Sequence, residues 1–387
     1  MTRRKLITVF ASFAAVATLG VGYMAWSQSQ GFEPAFRNQT NAPATARKTD
    51  LSTSIVADGL EIPWGIAILP DGGYLVTERT GRLNLIRDGK VQRIGGVPNV
   101  LDKGQGGLLD VAVADDFAIT RRIFLTYSKP GGNGRAMTAA ATGVLSEEMT
   151  QISGLKDIFV QTPAASGGRH FGSRIVIDND YAFITTGDRG EQPSAQDPRA
   201  TRGTVVRITL DGGIPKDNPF VASGERLGEV WTYGHRNPQG AALHPETGEL
   251  WTIEHGPKGG DELNRIKKGA NYGWPIVSYG ENYVGTAVGS GEPRAPGIEE
   301  PVYYWDPVIA PGGFAFYTGD LFDWNGDILA SSLNPGGLVH LRMQGDKVAN
   351  ETRYLEHLGR VRDVEVDSDG SLLLLTDEGN VVRVTPR

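Results

Sequence analysis

Between Trp231 and Pro275 the chain reads WTYGHRNPQGAALHPETGELWTIEHGPKGGDELNRIKKGANYGWP, and three groups of residues in it could do chemistry. Gly234-His235-Arg236-Asn237-Pro238 sets an imidazole, a permanent cation and a carboxamide just ahead of an apolar run, the loop position where binding groups usually sit. Glu254-His255-Gly256-Pro257 makes a flexible turn whose backbone carbonyls can face a hard cation, and Asp261-Glu262 adds two carboxylates close by. Asn271-Tyr272-Gly273-Trp274-Pro275 closes the stretch with aromatic area suited to a flat ring. Together these features describe a site for a planar anion and a calcium ion.

Residues elsewhere extend it. Arg360 and Arg362 join Arg236, and three guanidiniums in a chain of net charge −7 favour an anion site over scattered surface charge, because guanidinium pairs with carboxylate through two aligned hydrogen bonds. His170 follows Gly167-Gly168, which lets backbone approach closely, and Asp188 ends the next strand, where a carboxylate can fix the ring tautomer. His170, His235 and His255 contain no HxxxH-type pair, so a zinc site is not expected. Asp323-x-Asn325-Gly326-Asp327 has its glycine misplaced for an EF-hand loop and Asn334 where the glutamate belongs, so it reads as a hairpin turn.

The elements that must position these residues follow one recurring pattern: a small residue, an alternating apolar strand, a turn rich in Asp and Gly, a second apolar strand, then a polar loop. Six copies begin at Gly65, Gly107, Ser173, Gly240, Gly313 and Arg362, and each is trailed by further strand-like sequence such as Arg82–Arg87 and Thr204–Leu210. About four strands per copy predict an all-β fold, a six-bladed β-propeller of four-stranded blades over residues 51–387. Leu51 to Ala57 is expected to supply an outer strand to the last blade and close the ring. Loops entering the innermost strand and leaving the second strand share a face, because each strand reverses direction. Gln105, His170, Arg236, Asn237, Arg360, Asp188 and Asn334 all fall in those loops, so one face gathers the polar residues.

Composition excludes several classes. With 21% charged residues and a net negative charge the chain offers no basic field to nucleic acid, and with no cysteine it has no thiol catalysis, iron–sulfur cluster or disulfide. Arg3-Arg4-Lys5 precedes the uncharged apolar segment Leu6 to Trp26, so residues 1–27 read as a signal peptide or N-terminal membrane anchor. Residues 28–50 are polar and read as a flexible linker, leaving the folded part periplasmic or otherwise exported.

The ordered set His170, Thr186-Gly187-Asp188, Gly234-His235-Arg236-Asn237-Pro238-Gln239-Gly240, Gly256-Pro257, Asp261-Glu262, Asn271-Tyr272-Gly273-Trp274-Pro275 and Arg360-Val361-Arg362-Asp363 resembles the soluble pyrroloquinoline-quinone-dependent glucose and aldose sugar dehydrogenases, from about Ile55 to the C-terminus. The resemblance implies a propeller with pyrroloquinoline quinone (PQQ) on the axis at the polar face. It makes His170 the general base, oriented by Asp188, and puts Arg236 against the reactive quinone carbonyl. Gln105, Asn237, Arg360 and Arg362 would hold the cofactor's polar edge and carboxylates. The backbone carbonyls of Gly256 and Pro257 would bind calcium, with Asp261, Glu262 and Tyr272 shaping its surroundings. Two positions depart from the family pattern: Asn334 occupies a cofactor-facing place where a lysine is usual, and Val308 stands where a hydroxyl is usual.

The function expected is oxidation of an aldose sugar at its anomeric carbon to the lactone, with hydride transfer to PQQ and electrons passed to an external acceptor. A metal-dependent lactone hydrolase is the alternative enzyme, and a ligand-binding propeller without catalysis the alternative non-enzyme. The arginine set argues against the first, which needs carboxylates around its metal. His170, Asp188 and Arg236 standing together argue against the second.

Overall fold

The computed structural model describes residues 40–387; the targeting segment expected at 1–27, and residues 28–39 of the expected linker, lie outside the described residues. The described chain is a six-bladed β-propeller of antiparallel sheets, as the recurrence predicts. The innermost strands are Pro63–Ile68, Leu108–Val113, Gly172–Asp178, Pro238–Leu243, Pro311–Phe316 and Val361–Val366, for blades 1 to 6 in order. Each packs beside the next, and the sixth beside the first. Leu51–Ala57 pairs antiparallel with Val381–Pro386 as the outermost strand of blade 6, so the first strand of the described chain closes the last sheet. Blade 2 carries one short strand more than the pattern predicts, Ala165–Ser166 against Arg135 and Ala136.

Alternating apolar residues put the hydrophobic core between blades rather than at the axis. Leu75, Leu83, Leu125 and Ala139 fill the space between blades 1 and 2, and Val76, Ile86, Leu373 and Leu375 that between blades 1 and 6. The Asp-Gly turns tighten the hairpins as expected: Gly72 (φ +87°) donates to Leu69 O at 3.0 Å, and Gly370 (φ +81°) to Asp367 O at 2.9 Å.

The linker expected over 28–50 is not free at its C-terminal end. Lys347–Tyr354 is the outer edge of blade 5, and an exposed edge offers unpaired backbone groups. Residues 40–50 use them: Glu351 N–H donates to Pro43 O at 3.1 Å, and Lys48 Nζ to Arg353 O at 3.0 Å.

The axis is closed by charge. Arg174, on the innermost strand of blade 3, reaches Asp110 of blade 2 at 2.8 Å and Asp363 of blade 6 at 2.9 Å, and it stacks 4.7 Å from the Trp64 ring of blade 1. Asp110 also accepts Ile175 N–H at 2.8 Å, and Asp363 accepts Ile66 N–H at 3.3 Å. Glycine makes the room, since a Cβ on Gly313 would lie 1.6 Å from Asp363 Oδ1. Burial pushes Asp110 up to about 6 despite the guanidinium beside it. Removing the cation from such a cluster leaves carboxylates buried and unpaired. Arg174→Met is therefore expected to cost about 3–5 kcal/mol near neutral pH, measured by denaturant unfolding. The sign of its pH dependence follows: without Arg174 the folded state holds protons on Asp110 and Asp363 more tightly than the unfolded chain. The deficit relative to wild type should thus grow as pH rises and shrink toward about pH 5.

Candidate functional site

Every innermost strand begins with a shift of register against its neighbour, between Pro63 and Ile66, Leu108 and Val111, Gly172 and Ile175, Pro238 and Gly240, Pro311 and Phe314, and Val361 and Asp363. A bulge bends the strand and re-aims side chains. Here it recurs six times at one end of the barrel, the end that carries the polar entry loops.

His170 sits in the entry loop of blade 3 at φ +56°, a conformation a non-glycine residue holds only when its surroundings impose it. Its N–H donates to Gln105 Oε1 at 2.6 Å, and Gln105 N–H donates back to Gly168 O at 2.6 Å. On the other side Gly187 lies against it, where a Cβ would come 2.0 Å from His170 O. The ring Nδ1 is 2.6 Å from Asp188 Oδ1. Asp188 is fully buried and also accepts Gly190 N–H at 2.6 Å and Trp274 Nε1–H at 2.8 Å. Burial pushes this carboxyl up, but the His170 and Gly190 hydrogen bonds and Arg236 outweigh it, and it lies below the usual carboxylate range. An ionised Asp188 holds the ring proton on Nδ1 and leaves the lone pair on Nε2. Burial, joined by Arg236, keeps His170 below its ordinary value although Asp188 works the other way.

Arg236 enters from blade 4, and its carbonyl accepts Asp188 N–H at 2.9 Å, which locks the two loops together. Its guanidinium is buried, donates from Nη1 to His255 O at 3.1 Å and lies 5.3 Å from the Trp274 ring. Nε has no partner, and among the described residues no carboxylate ion-pairs with it. A buried cation without a counterion is costly, and a bound anion would remove that cost.

Glu254, which the sequence offered only as part of a loop, fixes this corner. Its carboxylate accepts Arg236 N–H at 2.7 Å, Asn237 N–H at 3.3 Å and Asn264 Nδ2–H at 3.2 Å, and meets His235 Nδ1 at 2.8 Å. His235 is thereby a packing residue, fully buried and stacked 4.7 Å from Tyr272. Asn237 is buried too, and its Oδ1 accepts Gly172 N–H at 3.0 Å, tying blade 4 to blade 3.

Arg360 and Arg362 share one carboxylate, Asp377, at 2.7 and 3.3 Å. Sequence reasoning missed Asp377, although it leaves the second strand of blade 6 where Asp188 leaves that of blade 3. Arg362 also donates to Gln239 Oε1 at 3.1 Å, and Arg360 to Leu333 O at 3.0 Å, which brings it beside the exposed Asn334.

Next to Arg236 a cavity of about 20 Å³ is lined by Glu254, His255, Gly256, Pro257 and Glu262, room for roughly one water or bare ion. The carbonyls of Gly256 and Pro257 accept no hydrogen bond among the described residues. A Cβ on Gly256 would fall 2.2 Å from Gly260 O, so this tight turn requires glycine. Asp261 has both oxygens engaged, by Gly256 N–H at 2.8 Å, Ile309 N–H at 2.9 Å and Ala310 N–H at 2.7 Å. It shapes the turn rather than facing an ion, and burial pushes it up to about 7. Burial and then Glu254 raise Glu262 well above the carboxylate range. Tyr272 lines the cavity with its ring, but its hydroxyl turns away to Arg265 O at 2.5 Å. His255 Nε2 is buried without a partner, and burial followed by Arg236 and Arg362 holds the ring neutral.

The site therefore combines an oriented imidazole, a buried guanidinium lacking an anion, two guanidiniums on one carboxylate, and two open carbonyls beside an ion-sized space. The buried Arg236 guanidinium, without a counterion among the described residues, fits an anion, and the open carbonyls fit a hard cation.

Comparison with known proteins agrees with this geometry. Residues 60–383 match the family described as Glucose / Sorbosone dehydrogenase. The chain is 43% identical over 356 residues to the aldose sugar dehydrogenase of Escherichia coli strain K12, covering 89% of this chain and 94% of that protein. Among solved structures it resembles the apo form of the soluble aldose sugar dehydrogenase from Escherichia coli (42% identity, TM-score 0.85, 87% of this chain and 100% of that one). It also resembles the PQQ-bound form of aldose sugar dehydrogenase from Streptomyces coelicolor (27% identity, TM-score 0.73, 88% and 100%).

The causes acting on His170 can be separated by titrating its ring in the protein without added ligand, using nuclear magnetic resonance. Asp188→Asn removes the partner that raises its pKa and should lower it further, whereas Arg236→Ala removes a neighbour that lowers it and should raise it. Shifts of the opposite sign would show that Asp188 does not face the ring as described.

Proposed function

Because this chain belongs to the glucose/sorbosone dehydrogenase family, we propose that it is a PQQ-dependent sugar dehydrogenase that oxidises an aldose at its anomeric carbon to the lactone, using the polar mouth of the propeller. The observation that carries this reading is Arg236: a buried guanidinium with no carboxylate ion-paired to it among the described residues, locked to the loop that holds the His170–Asp188 pair. Such a cation is preorganised for negative charge that develops beside a base.

PQQ, when bound, would supply the two-electron acceptor for the hydride that leaves the anomeric carbon, with an external acceptor taking up the electrons. Arg360, Arg362, Gln105, Asn237 and Asn334 would hold its polar edge and carboxylates, and Arg236 would stabilise negative charge developing on it. Gly256 and Pro257 would hold a calcium ion through their carbonyl oxygens, with Asp261 fixing the turn and Glu262 and Tyr272 lining the space. His170 performs the proton transfer. Its Nε2 takes the proton of the anomeric hydroxyl as the hydride departs, and Asp188 stabilises the imidazolium that forms. Trp274 Nε1–H, bonded to the other Asp188 oxygen, keeps that carboxylate from turning away. No observation favours hydrolysis, since the carboxylates of Glu254 and Asp261 are spent on backbone N–H groups. The basic and then apolar N-terminus supports export, as a cleaved or anchored periplasmic protein.

Two measurements test the reading. Apo-protein should reduce a dye in the presence of an aldose only when both PQQ and calcium are added, and chelation should lower the melting temperature of the loaded protein, as loss of a native-state ligand must. Failure to bind PQQ under those conditions would remove the dehydrogenase reading. His170→Ala should cut turnover by about 10²–10⁴ with PQQ affinity nearly intact; wild-type turnover in that variant would take His170 out of the reaction.

A further inference from the structure

Arg189 follows Asp188 in sequence, yet its side chain belongs to a different task. It is 2% exposed and forms no ion pair with a carboxylate among the described residues, while the nearby Arg202 takes Glu191. Its guanidinium lies over the Phe171 ring, 3.3 Å from the centroid. Nη1 donates to Arg169 O and Nη2 to Gly167 O at 3.2 Å, and its backbone N–H donates to His170 O at 3.3 Å. One residue thus gathers the carbonyls of Gly167, Arg169 and His170, and it stacks on the residue that follows.

These are the carbonyls of the segment that holds His170 at positive φ. Gln105 holds the same segment from blade 2 through two hydrogen bonds, so the loop is gripped from both sides. A hydrophobic residue would have filled this position without the penalty of burying a charge, and only the planar fork can cap two diverging carbonyls at once. We propose that Arg189 is a positioning residue that clamps the Gly167–His170 loop and so sets the place of the His170 ring relative to its reaction partner. The proposal rests on His170 being the base.

Its test uses Arg189→Met, with Arg189→Lys as the conservative variant. A 1 Å displacement of a reacting group costs up to about 10²-fold, so turnover of the reconstituted Met variant should fall about 10- to 100-fold. The Lys variant, which keeps a charge but not the fork, should fall between Met and wild type. KM for the sugar should stay within about twofold, and PQQ affinity, to which Gln105, bonded to the same loop, contributes, should weaken by less than turnover falls. Arg189→Met loses two hydrogen bonds to carbonyls and the Phe171 stack but also removes a buried charge, so it is the His170 titration, not the melting temperature, that separates a clamp from a purely structural residue. In the protein without added ligand, the His170 ring should titrate at a higher pH in Arg189→Met as the released loop admits water. An unaltered His170 titration in that variant would overturn the proposal, whatever happens to turnover. If Arg189→Met does not fold, Phe171→Leu removes the stacking surface instead and should give the same shift and a smaller loss of turnover; no change in either would overturn the proposal equally. Wild-type turnover in His170→Ala is a separate outcome and would strike the base assignment, not the clamp.

Discussion

The contact between Arg174 and the two carboxylates of Asp110 and Asp363 is the constraint on which the rest of this molecule depends. Blades 3 and 6 stand opposite each other in a ring of six, and a guanidinium that reaches across the axis joins them directly. The same group donates from Nε to Gln239 O of blade 4 at 3.0 Å, so blades 2, 3, 4 and 6 all meet at one side chain. A buried ion cluster is a poor source of stability compared with apolar packing, but it is strict about geometry. Those four innermost strands are the ones whose entrances carry Gln105, His170, Arg236 and Arg362. Asp363 directly follows Arg362, and Gln239 bonds both Arg174 and Arg362. Fixing the register at the axis therefore fixes His170 and the guanidiniums at the mouth.

At the mouth itself a second rule operates. Carboxylates at the exits of second strands hold the functional groups, and they leave the cations in excess. Asp188 orients His170; Glu254 secures the backbone beneath Arg236 while leaving its guanidinium alone; Asp377 serves two arginines at once. Each cation is thus placed by an acid that does not fully neutralise it, which is what a preorganised anion site requires. Had Glu254 reached the Arg236 side chain rather than its N–H, the same residues would have made an inert ion pair.

The sequence made the ring legible because a propeller repeats its hydrophobic alternation and its Asp-Gly turns, and those are local signals. The closing strand Leu51–Ala57 was legible for the same reason, and the family likeness drawn from the ordered motifs agrees with the family match. The axial plug was not read, although the charges in LLDVAV, SRIVID and VRDVEV interrupt otherwise apolar inner strands; their partnership spans up to 253 positions of chain and no local pattern encodes it. Glu254 and Asp377 were missed because a carboxylate at a strand end looks like any turn acid until its hydrogen bonds are seen. Residues 40–50 read as linker because their polarity hides that polar groups of this segment can satisfy an edge strand. That Asp261 and the Tyr272 hydroxyl turn toward backbone groups depends on packing that composition does not report.

The two departures from the family pattern acquire a physical meaning from these contacts. At position 334 a lysine would add a cation beside Arg360, but the charge count without it already favours an anion. Arg360 and Arg362 against Asp377 leave one positive charge, and Arg236 adds a second. Asn334 instead keeps a carboxamide at the exposed rim, where a long cation would be screened by water and worth little. At position 308 Val stands where the family pattern has a hydroxyl, in the loop ahead of Pro311. That loop is held because Asp261 Oδ2 accepts the next two N–H groups, those of Ile309 and Ala310, and Ile309 O receives Ser332 Oγ–H at 2.9 Å. The carboxylate that fixes the Gly256 turn therefore also fixes the segment around Val308, so the backbone geometry on both sides of the ion-sized cavity is set by one buried acid rather than by the residue that differs.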